Sequence, residues 1–294
     1  MENTPYRTVF GATGKIGRAL LGFLSQAQMP TIAVTRNLDK AEPLPFVEWV
    51  AADMSRPETL PAALKNSAAI FLVSGMGTSF VEEQHNVITA AKAAGVKNFV
   101  KLSSAAAGKS SPAHIVQSAI GRSHKEVEEL LKASGLNWTI LQPTGFMQNW
   151  LGEFSKRVKE ERGIYEATGD GRRAYIDLRD IAEVAFTVLK EPAKHAGQTY
   201  ILTGDEALNY WQLADIIGEV IHHKVTYVPL TLEEARERME MKGMPQWAIQ
   251  TFMAYTEVQR NGDAAYVSSD VQQVLGKPAR TTAAFFADYA EWFK

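Results

Sequence analysis

The stretch Thr8-Val9-Phe10-Gly11-Ala12-Thr13-Gly14-Lys15-Ile16-Gly17 decides how this chain is read. A short β-branched and aromatic run stops at a glycine, and glycines then recur at a spacing of three. Ile16, Leu20, Leu21 and Leu24 follow at helical spacing. The pattern predicts a strand, a tight turn and a helix. Gly11 lets the chain leave the strand sharply, Gly14 lets backbone approach a pyrophosphate, and Gly17 lets the helix pack closely on the strand. The helix N-terminus offers unpaired N–H groups and the positive end of its dipole to the anion. Such glycines can also mark turns alone. At the head of a βαβ pattern they predict a dinucleotide site, with Gly11, Thr13, Gly14, Lys15, Ile16 and Gly17 around the pyrophosphate.

The rest of the chain agrees with a globular α/β protein. It has 294 residues, 46% of them hydrophobic, enough for one large domain or a domain with a satellite. The 31 basic and 33 acidic residues are well mixed and give a net charge of −2, so nothing favours nucleic-acid binding. Cysteine is absent, which excludes disulfides, thiol catalysis and thiolate metal sites, and no metal is expected. Met1 to Pro5 is short and polar, and no signal peptide or membrane span is visible; the expectation is a soluble, cytoplasmic protein with no membrane partner.

Thr31 to Thr35 reads as the second strand and runs into Val34-Thr35-Arg36-Asn37. An NAD enzyme places an acid here for the ribose 2′-hydroxyl. This chain has Arg36, whose guanidinium suits a 2′-phosphate, with Lys40 a turn further on. The expectation is therefore NADP; the plainer alternative is a solvated arginine. Phe46 to Ala52 predicts a third strand, ending at Asp53 and Met54, which would face the adenine; Asp53 serves equally well as a turn former. Ala69 to Val73 reads as a buried parallel strand followed by Ser74 and Gly75, which would pass beneath the ribose. A helix from Phe80 to Ala94, a strand at Asn98 to Leu102, a helix from Gly121 to Ser134 and a strand at Asn137 to Leu141 continue the beat. The fold expected is α/β: a Rossmann-type, doubly wound parallel sheet with a smaller, mostly helical C-terminal lobe. Residues 1–145 make the dinucleotide-binding core, completed by about 174–204; residues 146–173 and 205–294 make the substrate lobe. Phe146, Met147 and Trp150 are expected to open a helix running to Arg162, and Trp211 to Ile221 and Thr231 to Lys242 read as further helices. His222-His223 reads as a helix end, because adjacent helical residues point about 100° apart and no third ligand is suitably spaced.

Several stretches together carry a family resemblance: Gly11 to Gly17, Val34 to Asn37, Ala94-Gly95-Val96-Lys97-Asn98, Trp138 to Pro143 with Phe146-Met147, Tyr175 to Ala182, Leu202-Thr203-Gly204, and Asp270 to Arg280. The chain resembles the NmrA-like, atypical branch of the short-chain dehydrogenase/reductase superfamily. Within it, the chain is most similar to NADPH-dependent reductases of quinones and triphenylmethane dyes. Ordinary members of the superfamily use a Tyr-x-x-x-Lys pair, and no tyrosine here has a lysine four residues on. On that alignment Ile120 replaces the tyrosine, His124 replaces the lysine and Ser103 keeps the superfamily's serine. The resemblance implies that Ser103 and His124 are the catalytic candidates and that Ser103, His124, Pro143 and Phe146 border the nicotinamide. His124 has three readings: a ribose contact, a proton donor to a reduced quinone with an ordinary pKa near 6.5, or a structural histidine. The function implied is NADPH-dependent hydride transfer to a flat apolar acceptor such as a quinone or cationic dye. The rival is a non-catalytic NADP-binding redox sensor that docks a protein partner. A homodimer is compatible with either. A bound-NAD isomerase is disfavoured, since both the acid after the second strand and the Tyr-Lys pair are missing.

Overall fold

Strand β1 (Tyr6–Phe10) runs straight into the glycine turn, and helix α1 (Lys15–Gln26) follows with Ile16, Leu20, Leu21 and Leu24 buried. The computed structural model describes residues 5–294, so Met1–Thr4 of the polar N-terminus lie outside the described residues. The alternation continues through β2 (Thr31–Thr35), β3 (Val47–Ala51), α2 (Leu60–Leu64), β4 (Ser67–Leu72), α3 (Phe80–Ala93), β5 (Asn98–Leu102), α4 (Ala113–Val116), α5 (Ala119–Ala133) and β6 (Asn137–Pro143). After β7 (Gly145–Phe146) come α6 (Glu153–Glu161), β8 (Gly163–Glu166), β9 (Arg173–Ile176), α7 (Leu178–Lys190) and β10 (Gln198–Leu202). The chain continues through β11 (Ala207–Leu208), α8 (Tyr210–Ile221), β12 (Thr226–Pro229), α9 (Leu232–Met241), α10 (Gln246–Arg260), α11 (Asp270–Leu275) and α12 (Thr282–Asp288).

Seven parallel strands form one sheet in the order β10-β6-β5-β4-β1-β2-β3. Both faces are covered, which is why its central strands read as apolar runs. On one face Leu20, Leu21 and Leu24 of α1 pack with Ile181, Val184 and Val188 of α7. On the other, Leu60, Phe80, Val87, Val127 and Leu131 cover Phe10, Leu72 and Phe99. The winding reverses between β1 and β4, and a crevice opens beyond their carboxyl ends. Above it, β11-β9-β7 make a small second sheet and β12-β8 a parallel pair. These pack with α8 and α12 around Trp150, Tyr210, Phe285 and Phe286.

Two expected boundaries move. The helix expected from Phe146 is broken: Phe146 belongs to β7, Met147–Trp150 is a single 3₁₀ turn, and α6 begins only at Glu153. Gly152 causes the break, holding φ +131°, where a side chain is strained. The third strand starts at Val47, because Phe46 sits at φ +63° and turns the chain into it. Helix α10 and the β8–β12 pair are additions the sequence reading did not contain.

The C-terminal segment is clamped to α7. Asp180, 1% exposed, accepts the backbone N–H of Arg280 at 2.9 Å and pairs with its guanidinium, which also reaches Glu183 at 3.3 Å. Among the described residues no helix is long and apolar enough to cross a membrane.

Candidate active site

The crevice holds a cavity of about 590 Å³ lined by Gly11, Thr13, Gly14, Lys15, Ile16, Gly17, Arg36, Asp53, Met54, Ser74, Gly75 and Phe146. Lys40 is not among them; it is exposed on a short turn beyond β2. The glycines divide their work. A Cβ on Gly11 would strike the Val73 carbonyl, and one on Gly17 the Gly11 carbonyl. Those two glycines are demanded by packing. A Cβ on Gly14 would meet only the Gly11 oxygen, at 3.3 Å. Gly14 is the N-cap of α1 and supplies no side-chain cap, and the first turn holds no acid. The N–H groups of that turn are therefore free for an anion, which fits a pyrophosphate.

Arg36 lies exposed on the cavity rim and forms no ion pair with a described residue. The two residues directly after β2, Arg36 and Asn37, are not carboxylates, and Asp39 beyond them does not line the cavity. Asp53 serves as a turn former and also lines the cavity. Its Oδ1 accepts the Ser55 N–H at 3.0 Å and the Ser55 hydroxyl at 2.8 Å, while the residue lines the cavity. Those hydrogen bonds, with smaller help from Arg36 and Arg56, hold its carboxyl below the usual range. Ser74 accepts the Gln84 amide N–H at 2.9 Å and keeps its own proton for a ligand.

A neighbouring cavity of about 420 Å³ shares Ile16, Val73, Ser74, Met76, Phe146 and Asn149 with the first. It brings together Ser103, His124, Pro143 and Phe146, with Ile120, Tyr255 and Val258 on its walls. Behind it stands a buried polar network. The Ser103 hydroxyl donates to Glu128 Oε1 at 2.5 Å, and Gln142 Nε2 donates to the same oxygen at 2.8 Å. Lys101 Nζ lies 3.3 Å from His124 Nδ1 and donates to the Leu102 carbonyl at 3.2 Å. His124 packs edge-on against Phe80, with ring centroids 4.8 Å apart.

Lys101 is fully buried, and burial pushes its pKa down to about 7 against the pull of Glu128. Burial and then the Lys101 charge push His124 down to about 3. This corrects one expectation: with that pKa His124 is neutral at physiological pH and is not a cationic acid for a quinone. Lys101 itself escaped the sequence reading, although a lysine in the apolar run Asn98-Phe99-Val100-Lys101-Leu102, two residues before Ser103, was visible.

The shift makes stability depend on pH. The folded pKa of His124 lies below its unfolded value, so between about pH 6.5 and 3 the unfolded chain binds the extra proton. Stability must then fall as pH falls through that window. Urea unfolding at pH 7 and pH 4.5 is expected to show that the change in stability of the wild type is less favourable than that of His124→Gln by on the order of 2 kcal/mol; taking the difference cancels groups such as Glu166, whose raised pKa acts the opposite way. An unchanged slope in the variant would show that His124 does not titrate in this way.

His222 caps α8 in the left-handed conformation and is exposed, as is His223. Among the described residues no three His, Cys, Asp or Glu side chains are grouped to hold a metal ion.

A parallel sheet with its glycine turn at the switch point, an uncapped helix N-terminus and a free arginine after β2 define a dinucleotide-binding oxidoreductase fold. A family profile described as NAD(P)H-binding matches residues 11–192, and the chain belongs to that family, in the atypical, NmrA-like branch of the short-chain dehydrogenases/reductases. It is 36% identical to the NAD(P)H azoreductase of Xenophilus azovorans over 287 residues, 97% of this chain and 98% of the relative. Its structure is similar to that of the Escherichia coli NADPH-dependent quinone oxidoreductase complexed with NADPH, at 27% identity and TM-score 0.85, over 97% of this chain and 99% of that one. It is also similar to the Citrobacter sp. triphenylmethane reductase complexed with NADP(H), at 25% identity and TM-score 0.82, over 96% and 99%.

Proposed function

We propose that this NADPH-dependent reductase passes its hydride to a flat, apolar, electron-poor acceptor such as a quinone or a dye. The observation that carries the reading is the apolar cavity beside the cofactor cleft, where Ile120 lines the wall and no tyrosine–lysine pair stands. Bound NADPH supplies the hydride. The chain's own residues do the rest. The first turn of α1 and Gly14 hold the pyrophosphate, and Arg36 grips the 2′-phosphate. Ile16, Val73, Phe146 and Ile120 keep water from the transfer. Ser103 is oriented by Glu128, so its lone pairs face the cavity and His124, and it accepts a hydrogen bond from ribose or ligand. The segments 146–173 and 205–294 form the lobe that supplies the far wall, including Asn149, Arg173 and Tyr255. The reductase relatives favour turnover over the non-catalytic sensor.

An acceptor of this class needs no protein acid at the moment of transfer. A cationic dye becomes neutral, and a reduced quinone takes its proton from water afterwards. A simple ketone would develop an alkoxide with no Tyr-x-x-x-Lys acid beside it; burial raises the pKa of the Tyr255 phenol on the cavity wall and makes it a weaker acid. Steady NADPH oxidation is therefore expected with quinones, a triphenylmethane dye or an azo dye, and none with cyclohexanone. Efficient ketone reduction, or tight NADPH binding with no turnover on any of these acceptors, would overturn the assignment.

A further inference from the structure

A third cavity, of about 300 Å³, lies among α6, β8, α9 and α10. Asn149 lines it and also lines the cofactor cleft and the acceptor cavity, so the three spaces meet at this residue. Asn149 is the one exposed member of the turn whose other side chains, Met147, Gln148 and Trp150, are buried. Its amide makes no hydrogen bond with any described residue.

The walls of the third cavity are of two kinds. Ile164, Tyr165, Leu230, Met239 and Phe252 are apolar or aromatic, and Phe252 is 53% exposed. Arg157, Arg238 and Lys242 bring positive charge. Lys242 is already paired with Glu153 at 3.2 Å. Arg238 lies 4.8 Å over the Tyr165 ring, and neither it nor Arg157 forms an ion pair with a described residue. Glu166 also lines the space but makes no side-chain hydrogen bond to a described residue. Burial pushes its carboxyl up to about 7, so near neutrality it carries only about half a charge against the three cations. Two unpaired guanidinium groups beside an aromatic and aliphatic surface are the donor set for a carboxylate or sulfonate carried on an apolar body.

We propose that the acceptor site is bipartite: the reducible ring lies beside Ser103 and His124, and a substituent ending in an anion passes Asn149 to reach Arg157 and Arg238. The proposal rests on the reductase reading above and adds to it the class of acceptor, an electron-poor ring with an anionic apolar tail.

The test compares a benzoquinone carrying a straight-chain ω-carboxylate with the methyl ester of the same compound. The wild type is expected to show a KM about tenfold lower for the acid than for the ester, with kcat within twofold. In the Arg157→Ala/Arg238→Ala double variant that preference should fall to about one. A parallel calorimetric titration uses a benzene ring bearing the same carboxylate chain, which cannot be reduced, against the NADPH-loaded protein. It should show the same acid-over-ester preference in the wild type alone. Equal KM and equal binding for acid and ester in the wild type, or a preference that survives in the double variant, would overturn the bipartite site. Absence of quinone turnover with the carboxylate-dependent binding intact would instead overturn the reductase reading and leave the anion subsite standing.

Discussion

Gly14→Val is expected to abolish NADPH binding while leaving the protein folded. Gly14 has φ −78° and ψ 167°, a conformation open to any residue. A Cβ there has a single close neighbour, the Gly11 oxygen at 3.3 Å. The branched side chain would occupy the place where the pyrophosphate must reach the first-turn N–H groups of α1. Binding should weaken by at least a hundredfold, about 2.7 kcal/mol. The fold loses only a better N-cap residue, roughly 1 kcal/mol or a few degrees of Tm. Nucleotide titration by fluorescence and a thermal melt by circular dichroism separate the two effects. Wild-type affinity in the variant would mean that the phosphates lie elsewhere. Gly17→Val is a different experiment, because its Cβ would collide with the Gly11 carbonyl in the protein itself.

Glu128→Ala should cause the largest loss of stability. The carboxylate is buried, holds Ser103 and Gln142, lies 3.7 Å from Lys132, and is the anion that offsets the buried Lys101. Removing it leaves Ser103 and Gln142 without their acceptor and takes away the charge that favours the ammonium form of Lys101, driving that buried lysine to its neutral form; orphaning these polar groups typically costs about 2–5 kcal/mol. That is a large part of the roughly 5–15 kcal/mol that holds a domain folded. Adding Lys101→Met removes the buried amine that Glu128 offset, so the double variant should recover part of the loss. Urea midpoints of the wild type, both single variants and the double variant measure this coupling. A loss under 1 kcal/mol in Glu128→Ala, or strictly additive effects, would show that the network does not act as a unit.

The parts of the fold that were legible share a physical cause. Strands β1, β2, β4, β5 and β6 are covered on both faces, so burial writes itself as apolar runs, and the glycine turn has few other solutions. Gly14, Arg36 and Asp53 could be placed because chain order alone puts them just beyond the carboxyl ends of β1, β2 and β3. Lys101 was hidden for the opposite reason. A lysine is ordinarily a surface residue, and its burial depends on Glu128, which is 27 positions further along the chain. Lys40 failed to reach the cleft because the chain beyond β2 enters a short 3₁₀ turn that leaves it exposed. The interrupted helix after Phe146 turned on the extended Leu151 and the left-handed φ of Gly152. Helix α10 supplies Tyr255 and Val258 to the acceptor cavity, yet its buried residues are spread among two small clusters, and its periodicity is correspondingly weak.

The clamp between Asp180 and Arg280 bears on how the protein is made. Asp180 is set in the first turn of α7, the helix that packs beside α1 against the sheet. A nascent chain that has emerged only as far as α7 can close that layer solely by burying Asp180 without its partner, a penalty on the order of several kcal/mol. Delivery of residue 280, a hundred positions later, is therefore expected to tighten that layer. A stop codon shortly before that arginine would spare every residue lining the cofactor cleft and still yield a chain that chaperones retain and proteases clear.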